Sequence, residues 1–389
     1  MRYDFDEAFD RRTTGAGKWL YLPEGTIPMT VADMDFRLAP EIIKAVQDAV
    51  AIGESGYVNM AEADYQAVID WVWEINGTGI RREHLIATPG VLYAARTAMY
   101  ALTEPGDKVV VQRPLHTPSI ASASMLDRVP LINDLVYQNG RYTVDFDQLE
   151  QCFKDGAKVF MLCAPNNPTG RVWTLEELQN LAYLAEKYNV YVVSDEIHRD
   201  IVWGKNRHIS PTELPGLAQR SAAVFSTSKS FNMGAYHIGS AVIPNKEIRD
   251  KVTKRFYAHG HTCERPSLLC IAAQTAAYTK GKEWFRQMLS YVEGNIRLAQ
   301  DYLADTPLHP NDPEGTFLLW IDISELGLDA AGLRDTMRNK WQVLCDPGSY
   351  YGTKDFMDYT GPEHHIRMNL AAPRPLVEQA LDRIRKYCR

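Results

Sequence analysis

Four short polar stretches each follow an apolar run that reads as a strand: "STSK" (226–229) after "AAVF", "DEIH" (195–198) after "VYVVS", "NNPTG" (166–170) after "KVFMLC", and "RPLH" (113–116) after "KVVVQ". In open parallel sheets, ligands bind in the crevice outside the carboxyl ends of the strands. Four loops far apart in sequence would therefore meet at one pocket. An amine at the mouth of such a pocket, Lys229, loses hydration, so its ammonium pKa falls and it becomes a nucleophile able to form a Schiff base with a carbonyl carbon. A buried carboxylate, Asp195, is costly without a cationic partner.

A protonated pyridine nitrogen is one such partner, and a Schiff-base lysine opposite an aspartate on a pyridinium is the arrangement of pyridoxal phosphate chemistry. That cofactor also needs an anion site. In "ATPGVLYAARTAMYAL" a turn with Gly90 enters a helix, and the free N–H groups of Gly90, Val91 and Leu92, reinforced by the helix dipole, would form one, with the Ser226 hydroxyl as a further donor. Read singly, Asp195 also fits a helix cap, Arg367 a surface ion pair on a half-buried strand, and His198 a satisfied core histidine.

The elements that must position these residues alternate. The runs 108–112, 158–163, 190–194, 222–226 and 239–243 are apolar and rich in β-branched residues, mostly separated by segments with helical spacing. Thr174 with Glu177 three residues later makes a capping box ahead of Leu178, Leu181, Leu184 and Ala185. The expected fold is α/β: a large domain with a mostly parallel sheet flanked by helices. After about residue 245 a helical stretch to about Leu303, then "TFLLWIDI", "HHIRMNLA" and a closing helix near 375–387, predict a smaller α+β domain. The Pro- and Asp-rich segment "ADTPLHPNDPEG" marks the seam. The expected division is 46–285 for the large domain, with 1–45 and 286–389 forming the small domain and an interdomain helix.

At 389 residues the chain can bury a sizeable core, and a formal net charge of -7 without a basic stripe excludes nucleic acid as a partner. The amino terminus has no apolar export segment and no run long enough to span a bilayer follows, so the expected location is cytoplasmic and no membrane partner is expected. The six cysteines show no CxxC pairing and read as small buried hydrophobes of a reducing compartment. His259, His261 and Cys263 in "HGHTC" lack a fourth ligand and the usual spacing, so no metal is expected. His364 and His365 are expected on opposite faces of a strand.

The motifs "PMTVADMDF" (28–36), "ATPGV" (87–91), "LCAPNNPTGRVW" (162–173), "SDEIHRDIVW" (194–203), "STSKSFN" (226–232) and "IRMNLAAPR" (366–374) together resemble those of the fold-type I pyridoxal phosphate enzymes of the class I/II aminotransferase superfamily, nearly end to end. "ADMDF" and "DEIHRDIVW" resemble the MalY/PatB-type cystathionine β-lyases in particular. The resemblance implies a carbon–sulfur β-lyase that cleaves cystathionine, cystine or related cysteine conjugates, with transamination, or loss of a different leaving group, as alternatives.

By that resemblance Lys229 holds the cofactor and later moves the Cα proton, Asp195 meets the pyridine nitrogen, and Asn167 and His198 serve the ring's phenolic oxygen. Arg367 takes the substrate's α-carboxylate by its planar fork. Tyr57 reaches the phosphate of a neighbouring subunit, which implies a homodimer with shared sites. Three positions depart from the pattern: His116 stands where the family stacks an aromatic ring on the cofactor, Thr30 replaces a tryptophan near the substrate side chain, and His237 replaces an arginine at the phosphate. Retention of both Lys229 and Asp195 argues against a descendant that only binds ligands.

Overall fold

The computed structural model describes residues 3–54, 56–138, 140–258, 266–352 and 361–388. Successive side chains of a strand point to opposite faces of its sheet, and here both sets are apolar. Val109, Val111, Val159, Met161 and Val193 pack against the helices Val91–Leu102, Thr117–Met125 and Lys246–Ala258. Val110, Phe160, Leu162 and Val192 pack against Phe146–Lys154 and Leu175–Lys187. Burial on both faces is why these strands read as continuous apolar runs.

The large sheet has eight strands in the order Leu85–Thr88, Gly239–Val242, Ser221–Phe225, Tyr191–Asp195, Ala157–Cys163, Lys108–Arg113, Val129–Gln138, Arg141–Val144. The five from Ser221–Phe225 to Val129–Gln138 are parallel, so Arg113, Cys163, Asp195 and Phe225 all end at one edge. Gly239–Val242 differs from the parallel expectation and runs antiparallel to both neighbours. The connection from the preceding strand, residues 226–238, holds only the single helical turn Thr227–Ser230, without the crossover helix that usually carries a parallel return. Three strands escape sequence reading: Leu85–Thr88 is too short to show a period, Val129–Gln138 is interrupted by Pro130, Asn133 and Asp134, and Arg141–Val144 only pairs back on it.

A second, antiparallel sheet joins His309–Pro310, Leu318–Asp322, His365–Asn369 and Asp346–Pro347. The helices Lys282–Leu303 and Arg374–Cys388 cover it, bringing Val292, Ile296, Val377 and Leu381 into one core with Leu319, Ile321, Ile366 and Met368. His365 is buried on its strand, but His364 lies in the preceding turn Gly361–His364 and is exposed, because the strand begins one residue later than the alternation suggested. The capping box forms as expected: Thr174 Oγ1 accepts from Glu177 N–H (3.2 Å) and Glu177 Oε2 from Thr174 N–H (2.8 Å). Among the described residues no helix is long and apolar enough to cross a membrane. Five cysteines are free thiols, and Cys263 lies outside the described residues.

The segment 304–315 is tied to the loop that follows Cys163. Glu314 and Gly315 N–H groups donate to the Gly170 carbonyl (3.0 and 2.8 Å), Asn311 Nδ2 donates to the Thr169 carbonyl (2.7 Å), and buried Arg171 bridges Glu177 and Glu314. Gly170 has φ +71°, and a Cβ there would lie 2.8 Å from Pro313, so both the turn and the close approach require glycine.

The loop 28–36 is held as firmly. Asp35 is buried and accepts from Lys18 Nζ (2.5 Å), Arg11 Nη1 (2.6 Å) and Trp19 Nε1 (2.7 Å). Asn369 Nδ2 donates to the Val31 and Asp33 carbonyls (2.6 and 2.8 Å). Asn232 accepts from Met34 N–H (3.1 Å) and donates to the Phe36 carbonyl (2.7 Å). Removing one member of a buried ion pair leaves its partner uncompensated. Asp35→Ala is therefore expected to destabilise the fold by roughly 3–5 kcal/mol, read as a lower urea midpoint at unchanged slope. A midpoint equal to the parent's would show that Lys18 is not relying on this carboxylate.

Candidate active site

At the carboxyl edge of the parallel strands lies a cavity of about 440 Å³, within the usual range for a small-molecule site. Gly90, Val91, Leu92, His116, Asn167, Asp195, His198, Ser226 and Lys229 all line it. The loops after four parallel strands thus converge as their positions in the sequence implied, and the Gly90 turn joins them.

Lys229 sits in the one-turn helix after Phe225, and its Nζ donates to the Ala32 carbonyl (2.5 Å) of the loop 28–36. Withdrawal from water lowers its pKa to about 8, with Arg367 pushing the same way and Asp33 and Asp195 opposing. Asp195 ends its strand, buried, and accepts a hydrogen bond from Ile197 N–H (3.1 Å). Burial raises its pKa to about 6; the Ile197 N–H restrains the rise, neighbouring Glu196 adds to it, and Lys229 opposes it.

His198 is fully buried, and neither ring nitrogen has a partner among the described residues. Burial first, then Lys229, Arg367 and His116, holds its imidazole neutral. His116 precedes the helix Thr117–Met125, and its pKa falls to about 4 through burial, Arg367 and Lys229.

The helix Val91–Leu102 starts at Gly90, whose φ of +149° favours glycine. The first N–H groups of that helix have no intrahelical acceptors and lie at the cavity wall. Ser226 lines the same end, but its hydroxyl donates to the Ile238 carbonyl (2.7 Å) and accepts from Ser228 N–H (3.1 Å), so its proton is committed within the fold. His237 also lines the wall.

Arg367 lies behind Asn167 rather than on the cavity wall. Its Nη1 donates to Asn167 Oδ1 (2.8 Å), its Nη2 to Asp346, and its guanidinium packs over Tyr351 (5.0 Å). Its buried Nε has no partner among the described residues. Thr30 is not on the cavity wall, although Ala32, two residues on, is. Tyr57 is 84 % exposed and borders a separate groove with Val50, Pro266 and Leu269. His259, His261 and Cys263 fall outside the described residues, and among the described residues no cluster of His, Cys, Asp or Glu is placed to hold a metal.

Sequence reasoning missed Ala32, whose carbonyl meets Lys229, and Asp346, which engages Arg367. A backbone carbonyl carries no residue signature, and Asp346 sits in a stretch, "CDPGSYYG", with no polar pattern. Tyr236 and Ser228 also line the cavity.

The groups here fit pyridoxal phosphate. Unpartnered buried polar groups are rare in proteins, yet His198 keeps two free nitrogens on the wall of a cavity that also holds Asp195 and Asn167. A flat polar ring with a basic nitrogen, a hydroxyl and a phosphate offers complementary partners to all of them.

The sequence matches the family described as "Aminotransferase class I and II" over residues 24–384. Cystathionine beta-lyase PatB of Bacillus subtilis is 32% identical over 391 residues, covering 98% of this chain and 99% of that protein. Among solved structures, a pyridoxal-phosphate-bound aminotransferase candidate from Clostridium difficile 630 superposes with a TM-score of 0.94 at 31% identity over the whole of both chains. Cystalysin from Treponema denticola, which contains pyridoxal 5'-phosphate, superposes with a TM-score of 0.93 at 28% identity, covering 99% of this chain and 98% of that one.

Since only the neutral amine attacks a carbonyl, trapping of an added aldehyde on Lys229 by borohydride is expected to rise about tenfold per pH unit below pH 8 and to level off above it. A yield that keeps climbing toward pH 10, about where an exposed lysine titrates, would show that the amine is not desolvated. Lys229→Arg supplies the blank.

Proposed function

The chain belongs to the class I and II aminotransferase family, and from that premise we propose that it is a pyridoxal-phosphate-dependent carbon–sulfur β-lyase acting on cystathionine, cystine or related cysteine conjugates. The observation that carries the reading is the cavity that sets the Lys229 amine, its pKa lowered to about 8, among Asp195 and the unpartnered His198. The likeness to PatB along nearly the whole chain supports the lyase branch, as does the loop 28–36 whose Ala32 carbonyl receives Lys229.

Bound pyridoxal phosphate supplies an aldehyde for an amino acid's nitrogen and an electron-accepting ring. Lys229 gives the covalent attachment and, once displaced, takes the Cα proton on Nζ. Asp195 pairs with the ring nitrogen and keeps it protonated. Asn167 and His198 meet the phenolic oxygen, and the N–H groups of Gly90, Val91 and Leu92 hold the phosphate. Arg367 orients the α-carboxylate through its free N–H groups. When Cβ carries sulfur, the thiolate leaves, and water completes the conversion to pyruvate, ammonia and a thiol.

We read residues 46–285 as the cofactor-binding body and 1–45 with 286–389 as the second domain. Tyr57, exposed and away from its own chain's cavity, serves a neighbouring subunit, so the working unit is a homodimer with shared sites. Transamination stands as the second reading, favoured by the family and by the likeness to the Clostridium difficile structure.

Cofactor-loaded protein given L-cystathionine and no keto acid is expected to release pyruvate and thiol over many turnovers. A single stoichiometric event that resumes only with added keto acid would make it an aminotransferase. Shared sites are tested by mixing Lys229→Ala and Tyr57→Ala subunits: random re-pairing is expected to restore about a quarter of the native activity, since half the dimers are mixed and each has one intact site. No recovery above the two parents would place Tyr57's role within its own chain.

A further inference from the structure

The cavity's charges bear on which substrate side chains it admits. Arg367 and Asp346 face each other across two antiparallel strands and form an ion pair whose side chains are only 5% and 13% exposed. The same carboxylate oxygen of Asp346 accepts from Val31 N–H (3.1 Å), next to Ala32 on the cavity wall, and from the Tyr351 hydroxyl (3.4 Å). Its other oxygen has no hydrogen-bond partner among the described residues, and the side chain keeps 13% of its surface exposed. A second carboxylate, Asp33, borders the same loop and is near enough to Lys229 to oppose the fall in its pKa. Arg11 accompanies it but is bonded to Asp33, Asp35 and the Met34 carbonyl.

We propose that Asp346 selects substrates by the charge at the end of their side chain, favouring an ammonium or a neutral group and rejecting an anion. Arg367's single positive charge is already balanced by Asp346. An α-carboxylate bound to Arg367 therefore leaves the region with a net negative charge, which a cationic side-chain terminus offsets and an anionic one worsens. Among the described residues the cavity wall contains no arginine, and its one lysine is Lys229. No further fixed cation stands among the described wall residues to balance a second carboxylate. The substrate class that fits is an L-amino acid conjugate extended beyond the sulfur by a group bearing an amine, whose ammonium offsets a distal carboxylate as it does in cystathionine and cystine, and amino acids whose side chain ends in a carboxylate alone are disfavoured.

This inference rests on the reading of Arg367 as the α-carboxylate group, but not on which reaction follows. The test therefore uses amino acids without a leaving group: L-ornithine, L-norvaline and L-glutamate, of similar length and different charge. Stopped-flow absorbance of the cofactor-loaded protein gives each dissociation constant before turnover. The native protein is expected to bind ornithine about fivefold more tightly than norvaline, and norvaline at least about fivefold more tightly than glutamate, the discrimination of a partly exposed charge pair. In Asp346→Asn, which keeps the shape and can still accept from Arg367, these differences are expected to shrink to within about twofold. Equal weakening of all three ligands would reduce Asp346 to a prop for Arg367, and native binding of glutamate as tight as ornithine would overturn the proposal outright. Loss of the β-lyase reading would appear instead as absent thiol release from cystathionine, with the order of binding unaffected.

Discussion

Withdrawing one amine and one carboxylate from water at the end of a parallel sheet is the constraint on which the rest of this structure depends. Lys229 and Asp195 approach each other's range, one lowered to about 8 and the other raised to about 6, because burial disfavours the charged form of each. Such a pair survives only where the surrounding backbone is fixed, since a mobile wall would let water in and restore both groups to their ordinary values. The parallel register supplies the fixed wall. Cys163 is level with Asp195 and Asp195 with Val224, one residue before Phe225, because their strands share one hydrogen-bonded ladder, and two layers of apolar side chains hold that ladder from both faces.

The contrast between neighbouring acids shows where function is concentrated. Glu196 is as deeply buried as Asp195, but it points into a network with Arg199 Nη1 (3.1 Å), His208 Nε2 (3.0 Å) and Ser210 Oγ (2.7 Å). Burial pushes its pKa up, yet His208 and Arg199 outweigh that and hold it below the usual carboxylate range. One residue away, Asp195 has a single backbone donor and a raised pKa. A satisfied buried charge braces the fold, whereas an under-satisfied one beside a cavity is prepared for a ligand. The same division separates Asn232 and Asn369, whose amides are spent on stitching the loop 28–36, from His198, whose ring is spent on nothing.

Much of this was legible in the sequence, for a physical reason. Strands buried on both faces leave continuous apolar runs, and the polar residue that breaks each run marks the edge where the sheet opens, so Lys229, Asp195, Asn167 and His116 could be grouped before any coordinates. The Thr174–Glu177 box was local chemistry and formed as written. What escaped was either short or non-local. Leu85–Thr88 has too few residues for a period, and the reversal of Gly239–Val242 goes with a connection that lacks a crossover helix rather than with the residues within the strand. The Ala32 carbonyl on Lys229 joins positions 197 residues apart, and the Asp346–Arg367 pair depends on a two-residue strand with no hydrophobic pattern of its own.

The charge inventory of the cavity also bears on the bond that breaks. Two of the three imidazoles on its wall are neutral: His116 has its pKa lowered to about 4 and His198 lies well below its ordinary value, each mainly through burial. Neither is therefore an acid ready to protonate a departing group at neutral pH, and Arg367 is already balanced by Asp346. Such a site suits a leaving group that departs unaided, and a thiolate, whose conjugate acid has a pKa of about 8.5, needs far less help than an alkoxide, whose conjugate acid resembles water at about 15.7. The same dryness that lowers the lysine's pKa thus denies these two imidazoles a role as acids at neutral pH, and this favours sulfur over oxygen at Cβ.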